Sequence, residues 1–107
     1  MRNRYYADLV GSKGLIGLVM AQSPEYVAPH GARQGIFGTN PIAMSIPTAN
    51  GVVTMDMATA AYAWFGVLEA KAAGRPVPEG VAMDAQGKPT TDPDAVSALG
   101  ARKRGDE

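Results

Sequence analysis

The sequence predicts a mixed α/β fold: a mixed sheet containing a β-hairpin, packed with two main helices. Three observations point there. Residues 57–73 set Ala61, Trp64, Phe65, Leu68 and Ala72 at i, i+3, i+4, i+7 and i+11, the repeat of a helix with one apolar face. Residues 42–46 and 52–55 are short apolar runs joined by a segment that ends in the turn-forming pair Asn50-Gly51. A third apolar run, residues 15–20, is bounded by Gly14 and Ser23-Pro24 and reads as a buried strand.

Each element has local reasons. In residues 3–13, Tyr5, Tyr6, Leu9 and Val10 share one helical face, Gly11 weakens the helix and Gly14 ends it. Residues 26–35 hold Pro29, Gly31 and Gly35 with little periodicity and read as loop. Asn40 precedes Pro41, which turns the backbone away from helix before the first hairpin strand. Asp56 suits the N-cap of the 57–73 helix, whose Trp64 and Phe65 should anchor its buried face. Lys71 lies in the last turn, and Gly74 followed by Pro76 is a stop signal. Beyond Pro78 the chain turns polar, with a turn at residues 84–87 and a fixed loop at 89–93. Residues 100–107 lack apolar periodicity and read as a disordered tail, leaving residues 1–99 as one domain.

Composition removes several function classes. Ten Lys+Arg balance ten Asp+Glu, so no basic excess favours nucleic acid. The chain has no cysteine, which excludes disulfides and thiolate chemistry, and one histidine, His30, which excludes a multi-histidine metal site. No metal site is expected. No apolar run approaches the ~20 residues of a membrane span. Arg2 and Arg4 precede Tyr5 and Tyr6 and not a signal-peptide core, so the expected location is cytoplasmic. His30 reads as an inert loop residue, although its side-chain type suits acid/base work.

Residues 35–59 draw the chemistry together. Gly38, Thr39, Asn40 and Pro41 form a backbone-rich loop, two strands follow, and Asp56, Met57, Ala58 and Thr59 close the second strand. Glycines, strand ends and a helix start in one stretch suit an anion or cofactor. A carboxylate at that helix start would repel a phosphate, so Asp56 is either a cap or a partner for a hydroxyl or amide.

The ordered set of short motifs is more specific than any one of them. Tyr5-Tyr6-Ala7, Gly14-Leu15-Ile16-Gly17, Val27-Ala28-Pro29 with Gly31, and Gly38-Thr39-Asn40-Pro41-Ile42-Ala43 come first. Pro47, Asp56-Met57-Ala58-Thr59, Pro78-Glu79-Gly80, Asp84 with Gly87, and Thr91-Asp92-Pro93 follow. In this order and spacing, over about residues 4–94, the chain resembles the malate/L-lactate dehydrogenase family, the non-Rossmann group that includes ureidoglycolate and sulfolactate dehydrogenases.

The resemblance implies an NAD(P)-dependent oxidoreductase acting on a small 2-hydroxy or 2-oxo acid, with NAD or NADP as cofactor. It implies that this chain is a fragment of the non-Rossmann NAD(P)-binding domain. It assigns cofactor contacts to Gln22 and Ser23, to Gly38, Thr39, Asn40 and Pro41, and to Asp56, Met57, Ala58 and Thr59. It places the catalytic histidine upstream of Met1, so no catalytic residue is assigned here and the isolated chain is expected to be inactive. Full-length members are expected to be homodimers, without nucleic-acid or membrane partners. The family's Lys-Gly loop beyond Thr91-Asp92-Pro93 is not matched, since Ala101-Arg102-Lys103-Arg104-Gly105 stands there. The alternative is a non-catalytic α/β remnant or an interaction module.

Overall fold

The structure, a computed structural model, describes residues 3–102. In chain order its elements are α1 (Asn3–Gly11), β1 (Gly17–Met20), β2 (Val27–Ala28), β3 (Ile42–Thr48), β4 (Gly51–Met57), α2 (Trp64–Ala73), β5 (Ala82–Met83) and β6 (Ala98–Gly100). Mixed α/β architecture with two helices is what the patterning predicted. The chain divides into two compact units, Met1–Gln22 with Asn40–Ala58 and Ser23–Thr39 with Thr59–Glu107.

The first unit is α1 laid on an antiparallel sheet of order β1-β3-β4. Strand periodicity assigns the two faces. Ala43 and Ser45 of β3 are fully buried, and the row Gly17, Ser45 and Thr54 crosses all three strands on the helix side. Three positions couple α1 to β4. A Cβ on Gly11 would lie 2.8 Å from Val52 Cγ1, Thr54 Oγ1 donates to Asp8 Oδ1, and the Arg4 backbone N–H donates to Asp56 Oδ2 at 2.9 Å. Helix positions three or four apart (~5.4 Å per turn) thus meet strand positions two apart (~6.8 Å), so the ladder stays in step.

The helix rides close to the sheet because two positions lack a side chain. A Cβ on Gly17 would fall 2.6 Å from the Ala7 carbonyl oxygen, and one on Gly11 2.5 Å from Ser45 Oγ. Between them Asp8 accepts from Thr54 Oγ1, Ser45 Oγ (3.3 Å) and Arg4 Nε (3.2 Å). The Thr54 hydroxyl is the main reason its carboxyl is held below the ordinary carboxylate value; Arg4 and Ser45 add to it and partial desolvation opposes it.

The second unit packs α2 with a small sheet of order β2-β6-β5, in which β2 and β6 are parallel and β5 and β6 antiparallel. Its core joins Val27, Ala60, Val67, Ala70, Val77, Ala82 and Leu99. Leu99, fully buried on the central strand, donates its N–H to Tyr26 O at 2.7 Å. Trp64 stacks on Tyr26 with ring centroids 4.0 Å apart and planes 3° from parallel. Gly74 ends α2 in the left-handed region (φ 62), and Arg75 N–H returns to Ala70 O at 3.0 Å.

Several expectations are corrected. The 57–73 helix starts at Trp64, because Met57 pairs with β3 as the end of β4 and the backbone of residues 59–61 bonds to Thr39 O and Gly100 O. Asp56 therefore does not cap α2, whose N-cap is Ala63 without a side-chain bond. The buried stripe of α2 is Trp64, Val67 and Ala70, leaving Phe65 64% exposed. The hairpin turn is Ala49-Asn50, one residue earlier than expected, because Thr48 Oγ1 accepts Asn50 N–H and donates to Gly51 O. The loop expected over residues 26–35 contains β2, and the polar stretch after Pro78 contains β5 and β6. The tail expected from residue 100 is paired at its start: Ala101 N–H reaches Ala28 O at 3.2 Å and Arg102 N–H reaches Thr59 O at 2.7 Å. Residues 103–107 of that expected tail lie outside the described residues.

Two measurements check the helix–sheet seam. Gly17→Ala drives a methyl into backbone and should cost about 1–3 kcal/mol, more than Gly11→Ala, which meets side-chain atoms first; equal Tm values for wild type and Gly17→Ala would refute the close approach. The Asp8 carboxylate, depressed in the folded state, contributes stability above its unfolded pKa, and that contribution is lost as pH falls through the folded value. Urea midpoints from pH 7 down to 3 should therefore drop less for Asp8→Asn than for wild type. Parallel curves would remove Asp8 as a source of acid sensitivity.

Candidate functional site

The ten residues singled out from sequence all flank the three places where the chain passes between units: Gln22 to Ser23, Thr39 to Asn40 and Ala58 to Thr59. The structure distributes them by unit, and within each unit brings them together.

In the first unit, Pro41, Asp56 and Met57 lie at one end of the sheet, opposite the Ala49-Asn50 turn. Ile42 pairs with Met57 and Ala43 with Asp56, while Ala21, next to Gln22, donates its N–H to Pro41 O at 3.2 Å. Ala58 follows β4 directly and is half-buried; Gln22 is exposed. Asn40 is exposed and, among the described residues, the one non-glycine with positive φ (43). Asparagine tolerates the left-handed region better than most residues, and such outliers collect at functional loops.

Asp56 has a role that sequence reasoning missed. From mid-strand it accepts the Arg4 N–H in the first turn of α1. It neutralises the positive end of a helix 52 residues away in sequence, not of the helix that follows it. Its other oxygen, Oδ1, accepts no hydrogen bond among the described residues. One residue before Arg4, Asn3 is 2% exposed and its Nδ2 has no partner among the described residues. No periodic pattern could have marked Asn3, because it is a polar residue on a helix that looked amphipathic without it.

In the second unit, Ser23, Thr39 and Thr59 form one hydroxyl cluster. Ser23 Oγ accepts the Thr39 N–H at 2.9 Å and the Thr39 hydroxyl at 3.3 Å, while donating to Pro24 O at 3.0 Å. Thr59 brings both its N–H and its hydroxyl to Thr39 O, each at 3.1 Å. Gly38 beside them is buried. Hydroxyls and backbone amides of this kind suit the hydroxyl and amide groups of a polar ligand. The Asp56 carboxylate suits a donor and disfavours a phosphate.

His30 stands apart from all ten. It lines a cavity of about 240 Å³ with Ala28, Gly31, Gly80, Met83 and Gly100, at the carboxyl ends of parallel β2 and β6. None of the ten sequence-derived residues lines that cavity. Among the described residues, no group of three or more His, Cys, Asp or Glu could hold a metal ion, and no helix is long and apolar enough to cross a membrane.

Known proteins share this chain's sequence and fold. It is 49% identical over 90 residues to the L-sulfolactate dehydrogenase of Methanothermobacter thermautotrophicus, covering 84% of this chain and 26% of that one. It is 42% identical over 96 residues to the ureidoglycolate dehydrogenase (NAD+) of Escherichia coli O157:H7, covering 89% of this chain and 28% of the relative. A crystal structure of a dehydrogenase from Sinorhizobium meliloti superposes with a TM-score of 0.89 at 36% identity, over 94% of this chain and 30% of that chain. This chain thus spans about a quarter of the length of these curated relatives. The family model for malate/L-lactate dehydrogenase matches residues 1–103, and the chain belongs to that family.

Proposed function

We propose that this chain is part of an NAD(P)-dependent oxidoreductase acting on a small 2-hydroxy or 2-oxo acid. The observation that carries the reading is the family match along residues 1–103. The similar proteins named as sulfolactate and ureidoglycolate dehydrogenases support it, the second with NAD+ in its name. No observation favours a non-catalytic remnant or interaction module. A homodimeric full-length enzyme belongs to the same reading on the sequence resemblance, and a cytoplasmic setting on the N-terminal sequence pattern.

The residues present fit a nicotinamide dinucleotide in their chemistry. Bound, that cofactor supplies hydride transfer to or from the substrate carbon. The chain would supply position. Among the described residues Asp56 Oδ1 accepts no hydrogen bond while Oδ2 holds Arg4, so one carboxylate can serve the fold and a ribose hydroxyl or carboxamide together. Ser23, Thr39 and Thr59 add hydroxyls whose mutual bonds fix their directions before any ligand arrives. Gln22, Gly38, Asn40, Pro41, Met57 and Ala58 belong to the proposed set on the sequence resemblance. The proton for the substrate oxygen is assigned to the family's histidine, which the resemblance sets outside this sequence.

NADH titration of wild type, Asp56→Asn and Asp56→Ala, followed by Trp64 fluorescence or calorimetry, tests the reading. A hydrogen bond to a charged group is worth ~1.5–3 kcal/mol, so Asp56→Ala should weaken binding by roughly 10–150-fold. It should also destabilise the fold by about 1 kcal/mol through the lost cap of α1, whereas Asn caps nearly as well. Equal affinity in the three proteins would leave Asp56 as a cap alone. In a separate assay with a panel of 2-oxo acids, the isolated chain should not oxidise NADH or NADPH, because losing a general acid alone costs ~10²–10⁴-fold. Turnover at ordinary enzymatic rates would show that this chain carries its own proton donor.

A further inference from the structure

The tip of the β3–β4 hairpin carries a chemically reactive pair. An asparagine side chain is open to attack at Cγ by the backbone nitrogen of the next residue, which closes a five-membered imide. The sequence has three asparagines, at positions 3, 40 and 50, and their surroundings differ. Asn40 precedes Pro41, whose nitrogen has no proton to lose. Asn3 is 2% exposed on α1 and precedes Arg4, whose N–H is held by Asp56 Oδ2 at 2.9 Å. Asn50 precedes Gly51, and both are exposed. Among the described residues the Asn50 carboxamide makes no hydrogen bond, so its side chain is free to turn. Gly51 stands at φ 115, and a Cβ there would meet nothing within 4 Å, so that side of the residue is open. Thr48 and Gly51 form the last rung of the ladder, an exposed pair of the kind that opens at little cost.

We propose that Asn50-Gly51 is a site of spontaneous covalent modification, at which the Asn50 amide becomes an acid. The Gly51 nitrogen gives up its proton to solvent and bonds to Asn50 Cγ. The Cγ–Nδ2 bond breaks, and Nδ2 leaves as ammonia with a proton taken from water. Water then opens the imide in one of two ways. Attack at Cγ breaks the new bond to the Gly51 nitrogen and leaves aspartate in an unaltered backbone. Attack at the backbone carbonyl carbon breaks the original peptide bond and leaves isoaspartate, with the chain running through Cβ and Cγ. One water is consumed and one ammonia released, with no oxidation or reduction.

The two products act differently on the sheet. Aspartate adds a negative charge at an exposed tip and keeps the two-residue turn. Isoaspartate lengthens the backbone inside that turn. Thr48 Oγ1 closes the turn by accepting Asn50 N–H at 3.2 Å and donating to Gly51 O at 2.6 Å, and both bonds depend on its normal length. The register of β4 against β3 starts from that closure. The tip lies at the end of the sheet opposite Pro41 and Asp56, so the modification does not rest on the proposed cofactor contacts.

Incubation of the folded chain at mildly alkaline pH, followed by residue-resolved mass spectrometry, tests the site. The Asn50 peptide should gain the mass of an amide-to-acid exchange and resolve into aspartate and isoaspartate products, while Asn3 and Asn40 keep their amides. Asn50→Gln should lose the change, because its longer side chain would have to close a less favourable six-membered ring. The isoaspartate form, separated by chromatography, should melt about 4–8 °C below the unmodified chain, the shift that one net hydrogen bond is worth in a chain of this size. Asn50→Asp, which has the charge without the longer backbone, should melt with the unmodified chain. An Asn50 amide that persists in the folded chain while a free peptide of residues 46–55 is fully converted would overturn the site. An isoaspartate form that melts with the unmodified chain would overturn its effect on the turn.

Discussion

The first unit depends on how closely α1 can approach its sheet. Two positions at the seam, Gly11 and Gly17, have no room for a Cβ, and Ala7 and Ala43 beside them are fully buried with side chains of a single methyl. At that separation, the seam's polar side chains, with Ser45 fully buried and Asp8 and Thr54 half-buried, are placed to satisfy each other. Asp8, Ser45 and Thr54 do so, and Ser45 Oγ and Thr54 Oγ1 lie 3.0 Å apart while both bond the same carboxylate oxygen. The register of β4 follows from the same contact. Thr54 must face Asp8, which sets Val52 and Asp56 toward the helix and turns Val53, Met55 and Met57 to the other side. A one-residue slip would bury methionine against α1 and lose the carboxylate–hydroxyl bonds together.

The long-period elements were legible in the sequence and the short ones were not. The hairpin strands announced themselves as short apolar runs joined through Asn50-Gly51, yet the turn sits one residue earlier, because the Thr48 hydroxyl closes it and leaves Gly51, at positive φ (115), as the first residue of β4. The second long helix was real, but its apolar spacing ran backward through residues 58–63, whose backbone pairs elsewhere (Thr59 N–H with Thr39 O, Ala61 N–H with Gly100 O), to Met57, which β4 claims. Strands β2, β5 and β6 have two or three residues each, too few to establish a period. They exist because Leu99, Val27 and Ala82 bury together, a fact spread over more than seventy residues of sequence.

The site was legible through motif order and not through physics of the chain alone. Nothing in the spacing of Ser23, Thr39 and Thr59 reveals that their hydroxyls and backbone groups converge, since loops carry no period. Asp56 shows the opposite failure. A carboxylate just before a helical pattern looks like that helix's cap, and local reasoning cannot see a helix end brought in from residue 4. The assignment to capping was right in kind and wrong in partner.

That change of partner alters the electrostatics available to a dinucleotide. Had Asp56 stood at the start of α2, it would have spoiled the N-terminus where a phosphate could bind. Instead the positive end of α1 is occupied by a protein carboxylate, and α2 begins at Ala63 with no side-chain cap and no acidic residue in its first turn. A negative ligand group gains nothing at the first of these ends and meets no carboxylate at the second. The carboxylate's other oxygen accepts no hydrogen bond among the described residues and suits donors only. A ligand group held at the Asp56 end of the first sheet would therefore have to be a donor without negative charge, the kind of group that a ribose hydroxyl or a carboxamide offers under the proposed reading.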